Sequence, residues 1–208
     1  MLQRTRFASQ GSLLCACLAA LLLFTALAPT IGCSPLSKHV DPDADDSLGG
    51  TGIDSGDVRT IADKMVGKIL TTPEIARATS PPTIVLDPVR NGTRFVIDTD
   101  ILLIKLRGQL LENANGRVRF LARDRLDAIE KERAAKRDGV FTAAEEKALK
   151  GADFFLTGDL RSISKARDSD RSDYIIYSFQ LIDAEDSTIV WEGQHEVKKE
   201  GKRGTTYR

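Results

Sequence analysis

Residues 174–183, Tyr-Ile-Ile-Tyr-Ser-Phe-Gln-Leu-Ile-Asp, alternate in polarity, with Ile175, Tyr177, Phe179 and Leu181 on one side. A turn at Ala184–Ser187 leads into residues 188–198, Thr-Ile-Val-Trp-Glu-Gly-Gln-His-Glu-Val-Lys. There Ile189, Trp191 and Val197 are expected to share a face. A period of two marks a strand with one buried side, and two such runs across a short turn predict an antiparallel hairpin.

Working upstream, residues 153–164 predict a further strand, separated from the hairpin by a polar loop at 165–172, Lys-Ala-Arg-Asp-Ser-Asp-Arg-Ser. Gly158 in mid-strand marks a bulge or a close backbone approach. Val58, Ile61, Ala62, Met65, Ile69 and Leu70 recur at helical spacing, which predicts a helix over 57–71 ended by Thr72-Pro73. Residues 82–87 predict a short strand, and Asn91-Gly92 a turn. Asp98-Thr99 is expected to cap a helix over 99–114, with Ile101, Leu102, Leu106, Leu110 and Ala114 along one side. A strand at 118–121 and a charged helix at 123–137 follow, the latter with Leu126 and Ile129 as a narrow apolar stripe. Thr142 caps a short predicted helix through Lys150. The fold class is therefore α+β: a small mixed β-sheet with a C-terminal antiparallel meander, flanked by helices. The globular domain spans 57–200, and 201–208 is a basic frayed tail.

The N-terminus differs in kind. Arg4 and Arg6 precede an apolar run from Leu13 to Leu27, about the length of a signal-peptide core and short for a bilayer span. Thr30-Ile31-Gly32-Cys33 resembles a bacterial lipobox, in which the cysteine is acylated and becomes the mature N-terminus. Gly32 and Cys33 fit the pattern, while Thr30 stands where Leu is usual. Residues 1–32 are expected to be a lipoprotein signal peptide, with diacylglycerol and acyl chains on Cys33 as the only covalent group. Two or more chains anchor firmly where one does not. Ser34, rather than Asp, after the cysteine points to the outer membrane, lipid-anchored on its periplasmic face. Ordinary secretion into the periplasm, or a retained anchor, is the alternative. Residues 33–56 read as a lipidated cysteine and a flexible acidic tether, with a typical span near ~26 Å. Asp41, Asp43 and Asp45 suggest a calcium loop, but Asp46 and Gly52 occupy its obligatory Gly and Glu positions, so an acidic linker is the better reading.

The chain has 208 residues with 30 basic and 30 acidic side chains and two histidines. That balance argues against a nucleic-acid protein working by bulk charge. With Cys33 acylated, the mature chain has no thiol for nucleophilic or metal chemistry. Neither Gly-Lys pair carries a phosphate-loop motif, and HExxH and GxSxG are missing. His39 lies in the tether. His195 falls near the end of the last strand, where a packed structural histidine is the simpler role. Asp153 and Asp159 flank Phe154–Gly158, but nothing singles them out as a hydrolytic pair. The expectation is no enzyme, no cofactor, no metal and no small-molecule substrate.

Several stretches resemble the LpoB-like lipoproteins, the outer-membrane activators of penicillin-binding proteins, whose fold is also that of the TolB N-terminal domain. They are Ala62–Leu70, Ile84–Thr93, Ile97–Thr99, Val118–Arg123, Gly151–Asp159, Leu181–Asp183 and Ile189–Glu192, in the family's order. The resemblance implies a protein that binds and stimulates a class A, bifunctional penicillin-binding protein and so regulates peptidoglycan synthesis. A non-catalytic envelope assembly or secretion adaptor of the same fold is the alternative, favoured by the short tether. For the partner surface the candidates are Arg167 and Arg171 in the polar loop, where binding residues tend to sit, and Arg161 on the exposed strand face.

Overall fold

The computed structural model describes residues 37–47, 49–142 and 147–202. The expected signal peptide (1–32), Cys33 and residues 203–208 lie outside the described residues. Among the described residues, all secondary structure falls within the unit Asp41–Arg208.

Two helices open the domain, α1 (Ser55–Thr71) and the single turn α2 (Pro73–Ala76). Strands β1 (Thr83–Leu86) and β2 (Arg90–Gly92) precede α3 (Asp100–Asn113). Then come β3 (Arg119–Phe120), a 3₁₀ turn at Arg123–Arg125 and α4 (Leu126–Arg137). Three 14-residue strands close the chain: β4 (Phe154–Arg167), β5 (Asp170–Asp183) and β6 (Ile189–Lys202). The sheet order is β3-β1-β4-β5-β6, with β2 also pairing β4. β1, β2 and β3 join in parallel, and the last three strands are antiparallel. This is the mixed α+β sheet with a C-terminal meander that the sequence predicts.

One sheet face carries the core. Phe154, Leu156 and Leu160 of β4, with Ile175, Tyr177, Phe179 and Leu181 of β5, are buried beside Ile61, Met65 and Ile69 of α1 and Leu102, Leu103, Leu106 and Leu110 of α3. At ~25 cal/mol per Å² of apolar surface, burying each large side chain contributes about 1.5–3 kcal/mol. Two glycines allow this contact. A Cβ on Gly158 would lie 2.5 Å from the Ser178 carbonyl oxygen, so the mid-strand glycine marks a close approach. One on Gly193 would lie 2.4 Å from the Trp191 ring and 2.7 Å from Met65 Sδ, which lets α1 settle on β6.

The structure corrects several sequence expectations. The folded part starts before residue 57. Thr51 and Ile53 are buried, and Asp54 is the N-cap of α1. Asp54 Oδ1 accepts from the Asp57 N–H at 2.9 Å, and Asp57 Oδ2 accepts from the Asp54 N–H at 3.2 Å, a capping box with aspartate at both ends. Further out, Ser55 Oγ donates to the Pro42 carbonyl at 3.0 Å, and Arg59 pairs with Asp43. Much of the expected tether is thus held against α1.

The polar loop at 165–172 is mostly strand. Lys165 pairs with Ser172, Ala166 with Arg171 and Arg167 with Asp170, around a two-residue turn in which Asp168 has φ 51°. Gly201 and Lys202, expected in the frayed tail, continue β6. Asn91-Gly92 lies in β2, and the turn follows it: Asn91 Oδ1 accepts from the Thr93 N–H at 2.9 Å. Thr99 sits at the start of α3, but its hydroxyl donates to the Val89 carbonyl, and Asp98 takes the Asp100 N–H instead. Ile101 is 51% exposed, off the buried side of α3. Ile189 does not share the Trp191 face. Leu181 pairs with Trp191 while Ile182 pairs with Ile189, so a bulge at Val190 reverses the alternation and leaves Ile189 52% exposed. Of the helix expected at 142–150, residues 143–146 lie outside the described residues and 147–150 are not helical.

Candidate interaction surface

The strands of the meander run past the apolar core, and at their far ends the buried face turns polar. Ser164, Asp173 and Lys199 form one rung of the ladder. Their side chains share the parity of the core residues and so point toward the helices. Asp173 is fully buried. Arg94 grips it with two bonds, Nε to Oδ1 at 3.0 Å and Nη2 to Oδ2 at 2.6 Å, and Thr51 and Ser164 donate their hydroxyls to it. Burial would raise the carboxyl's pKa, but the bonds from Arg94, Ser164 and Thr51 outweigh it and bring the value down to about 2. The Arg94 guanidinium also lies 4.2 Å over the Phe95 ring.

Lys199 donates to the Gly52 carbonyl at 2.9 Å, Asp54 Oδ2 at 2.6 Å and Asp57 Oδ2 at 2.7 Å. Tyr177 donates to the same Asp57 oxygen at 3.4 Å. Burial lowers the Lys199 pKa, yet the two carboxylates more than reverse this and hold it above the ordinary lysine value. The rung therefore fastens residues 51–57 to the sheet. Its charges are satisfied internally, which makes it a clamp rather than a reaction centre.

His195 is half-buried against Tyr177, with ring centroids 6.4 Å apart. Burial, helped by Lys64 with its ammonium 3.4 Å from Nδ1, pushes its pKa below the ordinary value. Its surroundings hold a packed histidine, as the sequence suggested. Asp153 accepts from the Thr83 backbone and hydroxyl, and Asp159 from Arg90 and Arg161. Six residues along an extended chain separate them by roughly 20 Å, far beyond the ~5–9.5 Å of a glycosidase pair.

Two surface features remain. Between α1 and α3 lies an apolar groove of about 660 Å³, lined in part by Ile53, Val58, Ile97, Ile101 and Ile104. Gln109 borders it, and its Oε1 is buried with no hydrogen-bond partner among the described residues. At the strand ends, Lys165, Arg167, Arg171 and Lys202 border a shallow hollow.

The structure separates the three arginines singled out in the sequence. Arg161 and Arg167 have outer-face parity on β4, six residues or roughly 20 Å apart. Arg161 is exposed and pairs with Asp159 at 3.2 Å. Arg171 is opposite Ala166, on the other face, and joins Arg167 only at the hollow. The groove and the clamp were missed. The clamp had a sequence signal: Asp54-Ser-Gly-Asp57 before an apolar helix has capping-box spacing.

Together these features define a small α+β domain whose polar interior holds it together and whose open surfaces lie at the helix groove and the strand ends. The family model for the peptidoglycan-synthase activator LpoB matches residues 57–197, and the chain belongs to that family. As a member of an activator family it is a regulator, not an enzyme. Among solved structures it is similar to the LpoB C-terminal domain from Salmonella enterica, with 16% identity and a TM-score of 0.41, covering 69% of this chain and 99% of that one. It is equally similar to the same domain from Escherichia coli, at 16% identity and a TM-score of 0.42 over the same shares, 69% and 99%. It is also similar to lipoprotein GNA1162 from Neisseria meningitidis, with 19% identity and a TM-score of 0.36, covering 58% of this chain and 84% of that one. No curated protein sequence matches it.

Proposed function

We propose that this chain is an envelope lipoprotein that binds a class A, bifunctional penicillin-binding protein and raises its rate of peptidoglycan synthesis. The observation that carries this is the family match across residues 57–197, almost the whole folded domain. The processed chain would be held by acyl groups on Cys33 at the periplasmic face of the outer membrane. It would need no cofactor, and its work would be contact rather than chemistry. For the contact we assign Arg167 and Arg171, which border one hollow at the strand ends. Arg161 is a secondary candidate, already paired with Asp159.

The test combines capture and rate. The full chain is mixed with purified class A synthases of its host, and glycan polymerisation and crosslinking are followed with lipid-linked precursor. Binding with a rise in either rate supports the proposal. Capture of a different envelope complex, with no synthase bound and no change in rate, would overturn it in favour of an adaptor role. Metabolic labelling with palmitate, lost on Cys33→Ala, tests the anchor separately.

A further inference from the structure

Strand β6 ends the sheet. Its one strand neighbour is β5, so the backbone groups on its other edge find no partner strand among the described residues. Fourteen residues make a long edge, and such an edge is a template for another strand unless something blunts it. The outward side chains on β6 carry a pattern. Glu192, Gln194, Glu196, Lys198, Glu200 and Lys202 are all exposed and lie on the side away from the helices. Glu192 takes hydrogen bonds from Ser178, Gln180 and Gln194, all neutral donors, and Glu196 holds the neighbouring Tyr174 hydroxyl's pKa above its ordinary value. Neither glutamate has a cation partner among the described residues, while Lys198 is held by Glu200 of its own strand at 2.8 Å in an exposed pair that a better partner can displace.

We propose that β6 pairs antiparallel with β6 of a second copy of this chain, about a two-fold axis through Val197. The charges select that register. Centred on Val197, the pairing sets Glu196 opposite Lys198 of the second copy and Glu192 opposite Lys202, and the symmetry repeats each pair. Centres at Glu196 or Lys198 set glutamate against glutamate, and put the central residue against its own copy. Centres at His195 or Lys199 avoid this, but the first aligns fewer opposite charges and the second a shorter stretch. Opposite residues in an antiparallel ladder share a face and a hydrogen-bonding phase, which a centre on a residue satisfies. On the helix side the same register places Gly193, covered by the Trp191 ring and Met65, opposite Gly201, covered by Thr51. Cross-strand pairs of opposite charge stabilise a ladder, and like charges directly opposite destabilise it. The product is one sheet continuous through both molecules, with the helices of both copies on the same side. The inference stands whether or not the partner is a synthase.

Sedimentation velocity of the full chain in a mild non-ionic detergent tests it, at up to about 100 µM, where even a Kd near ~1 mM leaves a detectable dimer. The expected result is a reversible monomer–dimer equilibrium that weakens as salt rises. Glu196→Lys and Lys198→Glu should each weaken the dimer about tenfold or more, since each sets like charges opposite at two symmetric places. The double change restores opposite charges and should restore the dimer. A native chain that stays monomeric, or a dimer indifferent to both single changes, would overturn the proposal. So would a double variant that stays monomeric, because the single losses would then reflect damage to the fold. Circular dichroism of each variant reports that damage directly.

Discussion

Asp173 of β5 and Lys199 of β6 are opposite each other in the ladder, and each sends its charge to a different part of the chain. Asp173 takes Arg94, Thr51 and Ser164, while Lys199 takes Asp54, Asp57 and the Gly52 carbonyl. One rung thereby fixes the segment entering α1 and the loop carrying Arg94. Replacing Asp173 by Ala removes the acceptor shared by three donors. The expected loss is about 2–4 kcal/mol of unfolding free energy, since breaking a buried pair strands its partner. A urea midpoint lowered at unchanged m-value would confirm it.

The same carboxylate makes stability depend on pH. Its folded pKa of about 2 lies below the unfolded value of about 3.9, so its contribution is fully present above pH ~4. It is lost as pH falls from ~4 through ~2. The whole difference is worth about 2–3 kcal/mol. Asp54 acts in the same direction: burial raises its pKa, but the bond from Lys199 and the Asp57 backbone lower it below the ordinary value. Denaturation midpoints taken from pH 7 down to pH 2.5 should fall for the native chain and be flatter for Asp173→Asn. Parallel curves would show that other groups dominate.

Lys199→Met tests the other half of the rung. Asp54 and Asp57 would lose their shared cation, with Asp57 only 8% exposed. About 2–3 kcal/mol should be lost. The effect should be local as well as global: amide protection across residues 50–57 should drop more than across β5. Equal loss of protection in both regions would mean the entering segment and the sheet open as one unit.

The two packed glycines should respond differently to alanine. At Gly158 the added carbon meets a backbone oxygen at 2.5 Å, and the ladder must shift to admit it. At Gly193 it meets the Trp191 ring and the Met65 thioether, both side chains. Over-packing costs typically about 1–3 kcal/mol, and methionine adapts to irregular space. Gly158→Ala should therefore be the more damaging, at about 3 kcal/mol or more, with Gly193→Ala nearer 1–2. Thermal midpoints in the opposite order would refute the comparison.

Apolar periodicity made the core legible. Ile175, Tyr177, Phe179 and Leu181 share a face because β5 is regular, and Ile61, Met65 and Ile69 follow the helical period of α1. The method failed where structure is held by other forces. From Lys165 to Ser172 the ladder continues on backbone hydrogen bonds alone, which leave no apolar trace. At Ile189 a single extra residue reverses the faces, and no composition signal announces a bulge. Thr51 and Asp54 looked like linker because their partners, Asp173 and Lys199, lie more than a hundred residues away. Arg167 and Arg171 share the stretch that reads as a polar loop, but strand parity, invisible in that reading, puts them on opposite faces.

That parity sharpens the last prediction. Arg167 and Arg171 meet only at the hollow, with Lys165 and Lys202 beside them, so a partner reaching both must approach the strand ends rather than the sheet face. Neither arginine belongs to the clamp or the core. Surface substitutions of this kind change stability by less than about 0.5 kcal/mol. Arg167→Glu with Arg171→Glu should leave the urea midpoint in place and weaken synthase binding about tenfold or more, chiefly through slower association at low salt. Arg161→Glu, on the sheet face and near Asp159, should have a smaller effect. Surface plasmon resonance at two salt concentrations separates the cases. Unchanged affinity in the double variant, with a loss in Arg161→Glu, would move the contact from the strand ends to the open face of the sheet.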